Sequence, residues 1–141
     1  MALIYEVIYK KLEKLGVPKV KTTKILKSNG FMDLHIENLG NNHYSLTHYF
    51  EQNGDLVPDP DMEIRIYPKE RMAEALTYQD QFIYREVYPD ENHVNERAKK
   101  ELNQFLNQWL TNLINQGFGK EKVKVKPMPA PRTKKTTKKR A

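Results

Sequence analysis

The sequence contains no cysteine. That absence excludes disulfide frameworks, zinc ribbons and cysteine nucleophiles at once. Glycine is sparse, with six in 141 residues, and no G-x-G-x-x-G or G-x-x-x-x-G-K string occurs, so the usual phosphate cradles are missing. No G-x-S-x-G is present, and Ser28 and Ser45 fall in turn and strand contexts without an obvious base. None of the histidines at 35, 43, 48 and 93 follows an H-x-x-x-H or H-E-x-x-H spacing. No apolar run approaches the roughly 20 residues that cross a bilayer. The opening stretch MALIYEVIYKKLEKLG carries Glu6 inside its apolar run and no cleavage pattern. The expectation is a soluble, cytoplasmic chain without an internal repeat.

What is present is a split of charge. Residues 120–141 hold ten Lys/Arg against Glu121 alone, a net of +9, and residues 1–119 hold 14 basic against 17 acidic residues, a net of −3. Within the latter, residues 1–27 are basic and 28–119 carry −8. Any polyanion therefore meets the ends of the chain and not its middle. A chain of this length suits one domain that can bury a real core. The expected organisation is a single domain over 1–119 followed by a basic, flexible tail over 120–141, since the tail has no apolar stripe to bury.

The central stretch YSLTHYFEQNGDLVPDPDMEIRIY alternates with period 2 at both ends. Tyr44, Leu46, His48 and Phe50 share one parity, and Met62, Ile64 and Ile66 alternate with Glu63, Arg65 and Tyr67. This predicts an antiparallel pair joined by a turn-rich acidic loop, because Pro58 and Pro60 do not continue a ladder. Before it, Ile4, Ile8, Leu12 and Leu15 form a helical stripe closed by Gly16 and Pro18. Residues 21–27 and 31–37 read as strands around a Ser28-Asn29-Gly30 hairpin turn, and Gly40-Asn41-Asn42 as the next turn. Residues 69–74 fit either a helical turn or a charged connection. Residues 75–79 and 82–88 read as two more strands around Asp80-Gln81. Ala98, Leu102, Phe105, Leu106, Trp109, Leu110, Leu113 and Ile114 then define a long helix, capped by Asn95 and ended by Gly117. The fold class is α+β: a curved antiparallel meander of five or six strands, with an N-terminal helix and a longer C-terminal helix on one face.

Candidate sites follow from these elements. Asp55, Asp59 and Asp61 in the acidic loop are oxygen ligands for Mg²⁺ or Ca²⁺ if they converge, although the spacing is not that of an EF-hand. The competing reading is turn chemistry, in which Asp beside Gly and Pro caps turns. No other cofactor is expected. His48 shares the core parity, so it is either a core histidine bonded to a backbone group or, with Tyr49, Arg65 and Tyr67, part of a partner surface. Tyr49, Tyr67, Tyr78, Tyr84 and Tyr88 fall on strands, where aromatics can stack bases, but Asp33, Glu37 and Glu63 on the same parity repel phosphates. Cross-strand tyrosine pairing is the structural alternative. In the tail, Arg132, Lys134, Lys135, Lys138, Lys139 and Arg140 suit salt-sensitive, non-specific contact with nucleic acid, or a purely solubilising role.

The strings HYFEQNGDLVPDPDMEIRI, LTYQDQFIYREVYPD and KKELNQFLNQWLTNLINQGF resemble an uncharacterised bacterial family, a domain of unknown function found on plasmids, phages and integrative elements. A lesser likeness runs to the YqiB-like proteins through Ile64–Tyr67, Met72–Glu74, Tyr84–Pro89 and Asn103–Leu110. The resemblance covers residues 44–118 and implies a mobile-element context. It implies no activity, cofactor or catalytic residue.

Together these features point to a non-enzymatic binding module. Its body would engage a protein partner, in one form a host defence nuclease that it inhibits, while the tail touches nucleic acid. The alternative is a small enzyme or divalent-cation site at the Asp55–Glu63 loop. A third reading is a structural adaptor whose tail is incidental. No membrane partner is expected, and the sequence specifies no oligomeric state.

Overall fold

The structure is a computed structural model, and it describes residues 3–119. A first helix, α1, spans Ile4–Leu15, and a short 3-10 turn covers Val17–Lys19. Six strands follow: β1 (Thr23–Leu26), β2 (Leu34–Gly40), β3 (His43–Gln52), β4 (Asp55–Tyr67), β5 (Met72–Gln79) and β6 (Tyr84–Glu86). The second helix, α2, spans Glu96–Asn115. The strands form one antiparallel meander in sequence order.

Both helices form where capping and periodicity agree. Ile8, Leu12 and Leu15 of the α1 stripe are buried, together with Tyr9. The Glu6 carboxylate accepts the Leu3 N–H at the helix start, and Gly16 closes the end in the left-handed conformation. Asn95 accepts the Ala98 N–H at the start of α2. At its end, Gly117 takes φ +98, and the Phe118 N–H reaches back to Leu113 O. The α2 stripe is narrower than its sequence suggests, because Phe105 lies at its exposed margin.

The helices pack on one face of the sheet. Leu34, Ile36, Leu46, Met62, Ile64, Ile66, Ala73 and Ala75 point into that face and join Ile8, Leu12, Leu106, Leu110 and Leu113 in a single core. The two alanines of β5 matter because small side chains let the helices approach the strand closely. β6 pairs only with residues 77–79, so the first half of β5 lacks a second strand neighbour. Asn103 of α2 takes that place: its Oδ1 accepts the Ala75 N–H at 2.8 Å, and its Nδ2 donates to Lys99 O at 2.7 Å. Asn103→Ala is expected to cost about 1–3 kcal/mol by orphaning a buried amide. Urea melts read this as a lower midpoint at constant slope. An unmoved midpoint would show that water substitutes for the side chain.

Several boundaries differ from the sequence expectation, each for a physical reason. The central hairpin has no nine-residue loop. Asn53 and Gly54, both at positive φ, make a two-residue turn whose twist matches the strands, and β4 runs through both prolines. The prolines fit because residues 55–58 pair with β3 alone and β5 ends opposite Asp61; on that free side no N–H is needed. An irregularity between Thr47 and Tyr49 absorbs Asp59 and Pro60. Ser28-Asn29-Gly30 does turn the chain between the paired strands β1 and β2, closed by Phe31 N–H to Ser28 O at 3.0 Å, but within a longer connection, since the last β1–β2 pair is Leu26 with Leu34. Phe31 and Met32 therefore stay outside the strand. Residues 72–74, left open between helix and connection, begin β5. Residues 82 and 83 belong to a four-residue turn, closed by Asp80 N–H to Ile83 O at 3.0 Å, and not to β6. Among the described residues, no helix is long and apolar enough to cross a membrane.

Candidate functional site

Cross-strand register sorts the remaining side chains onto the face that neither helix covers. One row, Thr23–Glu37–Ser45–Glu63–Thr77–Glu86, crosses all six strands. The next, Ile25–His35–Thr47–Asp61–Gln79–Tyr84, does the same. Four carboxylates thus stand on one uncovered surface, with Asp61 accepting from Thr47 Oγ1 at 3.0 Å.

The structure separates residues that the sequence had grouped. Asp55, Asp59 and Asp61 lie along one extended strand. At roughly 3.3 Å per residue, the first and last are about 20 Å apart and do not share one ion. Among the described residues, no three His, Asp or Glu side chains come together as a metal site. His48 is 8% exposed and faces the core. Its Nδ1 lies 2.9 Å from Asp33 O, and its ring meets Trp109 edge-on at 5.6 Å. It is thus the core histidine of the two readings and does not belong to a partner surface. Tyr49 lies on the opposite parity and meets His35 edge-on at 5.0 Å. Arg65 and Tyr67 stay together on the uncovered face, the guanidinium 4.8 Å from the ring centroid. Arg132, Lys134, Lys135, Lys138, Lys139 and Arg140 lie outside the described residues, as does the whole segment assigned as a tail.

Arg65 and Tyr67 lead to a network that sequence reasoning missed. Glu74, cross-strand from Arg65, is only 9% exposed. Its Oε2 accepts from Tyr67 Oη at 2.5 Å and its Oε1 from Tyr88 Oη at 2.6 Å. A buried carboxylate needs such donors, because its desolvation is costly. Lys99 of α2 places its ammonium 5.9 Å from the ring centroids of both Tyr5 and Tyr88. A cleft of about 300 Å³ opens here, lined by Tyr5, Tyr67, Glu70, Met72, Ala73, Glu74 and Lys99. The signal in the sequence is a lone carboxylate between two alanines, Ala73-Glu74-Ala75. Its partners at 5, 67, 88 and 99 have no local signature.

The surroundings of this cleft hold the protons of its two Glu74-bonded phenols. Burial first, and then the Glu74 hydrogen bond, push the Tyr67 phenol up to about 12. The same causes raise Tyr88 further. A phenol in that range keeps its proton at neutral pH and offers it as a hydrogen-bond donor. Both oxygens of Glu74 are already engaged by hydroxyls.

A family model described as "Domain of unknown function (DUF6908)" matches residues 4–119, which spans both helices and all six strands. No curated protein and no solved structure matches the chain.

Proposed function

Because the chain belongs to this DUF6908 family, which brings no activity with it, we propose its function from charge and topology: a small, non-enzymatic binding module of the cytoplasm. The folded body engages a protein partner, and residues 120–141 contact nucleic acid. The observation that supports this reading is the carboxylate row of Glu37, Glu63 and Glu86 across an uncovered six-stranded face, in a chain whose last 22 residues carry +9. An anionic sheet repels phosphates and attracts basic protein surfaces. Nucleic-acid enzymes carry such surfaces, so inhibition of a host defence nuclease by a plasmid- or phage-associated protein is one form of this function.

The test is binding of short DNA and RNA across a salt series. It compares the full chain with a variant in which Lys134, Lys135, Lys138, Lys139 and Arg140 are each changed to Gln. The full chain is expected to bind weakly, with a steep salt dependence, and the variant's log–log slope should fall by about one for each phosphate that is no longer neutralised. Equal affinity and slope for both would remove the tail from the function.

A further inference from the structure

Antiparallel meander topology places the β1–β2, β3–β4 and β5–β6 connections at one end of the sheet. Large apolar side chains are exposed at or next to each of the three, although Phe31 also meets the Phe118 ring at 6.5 Å. Phe31 and Met32 come from the first, Phe82 (83% exposed) with Ile83 from the third, and Leu56 (68%) from β4, two residues past the Gly54 turn. Burying such groups is favourable, so an exposed aromatic held out at this end, Phe82 above all, marks a place where a partner can sit.

The third connection is built to hold its aromatic out. Asp80 Oδ1 accepts the N–H groups of Phe82 and Ile83 at 2.8 and 3.0 Å, and Oδ2 accepts from Tyr78 Oη at 2.7 Å. Tyr78 is itself stacked edge-on against Phe105 of α2 at 5.2 Å. The turn is therefore fixed to the core, while Phe82 at its apex touches almost nothing. An aromatic anchor presented on a rigid turn has already lost most of the entropy that docking would cost.

Charge decides what it meets. Glu51, Asp55, Asp59, Asp61 and Asp80 stand at the same end, and Lys27 there is paired with Asp33 at 2.7 Å. An anionic lipid surface or a nucleic acid would be repelled. Two copies of the chain meeting by this end would set the same carboxylates against each other. We infer that this end of the sheet, anchored by Phe82, docks into an apolar pocket on a basic protein surface. Tyr84, beside the anchor, belongs to the uncovered acidic rows, so the two surfaces are continuous. The inference rests on the proposed binding of a protein partner and names where that partner sits.

The test places a photo-crosslinking benzoylphenylalanine at position 82, or separately at Glu63, in the full chain expressed in its native host. Any crosslinked protein is then purified and titrated with the unlabelled chain, with Phe82→Ala and with Leu39→Ala, an exposed apolar residue near the opposite end. The expected result is one basic protein, captured from position 82, whose dissociation constant rises at least about tenfold with Phe82→Ala and stays unchanged with Leu39→Ala. Unchanged melting temperatures for both variants establish that they fold. A protein captured from Glu63 that binds Phe82→Ala as tightly as the native chain would overturn the anchor and leave the binding module standing. Crosslinks only to a second copy, or to residues 120–141, would overturn the assignment to a basic protein. No protein captured from either position would sink the binding module itself.

Discussion

Trp109→Ala is expected to lower stability by about 3–5 kcal/mol, which for a domain of this size lowers the melting temperature by about 10–20 °C. The indole is 7% exposed. It covers the His48 ring on one side and packs against Phe105 at 6.2 Å on the other. Truncation removes that cover from a buried imidazole and opens a void between α2 and β3, which a close-packed interior fills only in part. Trp109→Phe keeps an aromatic face toward His48 and should recover most of the loss. Calorimetry of the two variants checks this. Native-like melting of Trp109→Ala would mean that α2 is not the lid of the core.

Glu74→Ala is the second large effect, at about 2–3 kcal/mol, because it removes the shared acceptor of two tyrosine hydroxyls at a position only 9% exposed. The same network gives the fold an alkaline limit. The Tyr67 phenol, ordinarily near 10, is raised to about 12 by burial and by the Glu74 hydrogen bond. The folded state thus keeps a proton that the unfolded chain has released. That contribution is complete below about pH 10 and is lost as pH climbs through about 12. Glu74→Gln removes the carboxylate's share but not the burial. Its Tyr67 should titrate nearer the ordinary value, and its stability should depend less on alkaline pH. Tyrosinate absorbance and melting temperature, followed together between pH 8 and 12, report both quantities. An identical tyrosinate titration in the variant and the native chain would show that Glu74 does not govern Tyr67.

Part of this fold is legible in residue order. The stripes ending at Leu15 and in the Leu113 turn identify both helices, because a helix that buries one face repeats its apolar residues every three or four positions. Alternation in 44–50 and 62–67 identifies the central strands for the corresponding reason, and it places His48 on the core parity. The Asn53-Gly54 dipeptide marks a turn, yet the prolines after it conceal the strand. Whether a proline can sit in a strand depends on whether anything pairs with its N–H side, and that depends on where β5 ends.

What the amino-acid order determined alone is therefore periodic and local: two amphipathic helices, alternating strands, their turns, and a net charge of −3 before residue 120 against +9 after it. Tertiary structure decided which distant side chains share a place. It joined Tyr67, Glu74 and Tyr88, and brought Lys99 and Tyr5 to the same cleft. It spread Asp55, Asp59 and Asp61 along a strand, aligned Glu37, Glu63 and Glu86 in one row, and set Phe82 at the same end as Leu56 and Phe31. The reason is that register and bulges are fixed by pairing between segments far apart in the chain. A shift of one residue turns every side chain of a strand to the other face, and no local pattern records which shift is taken.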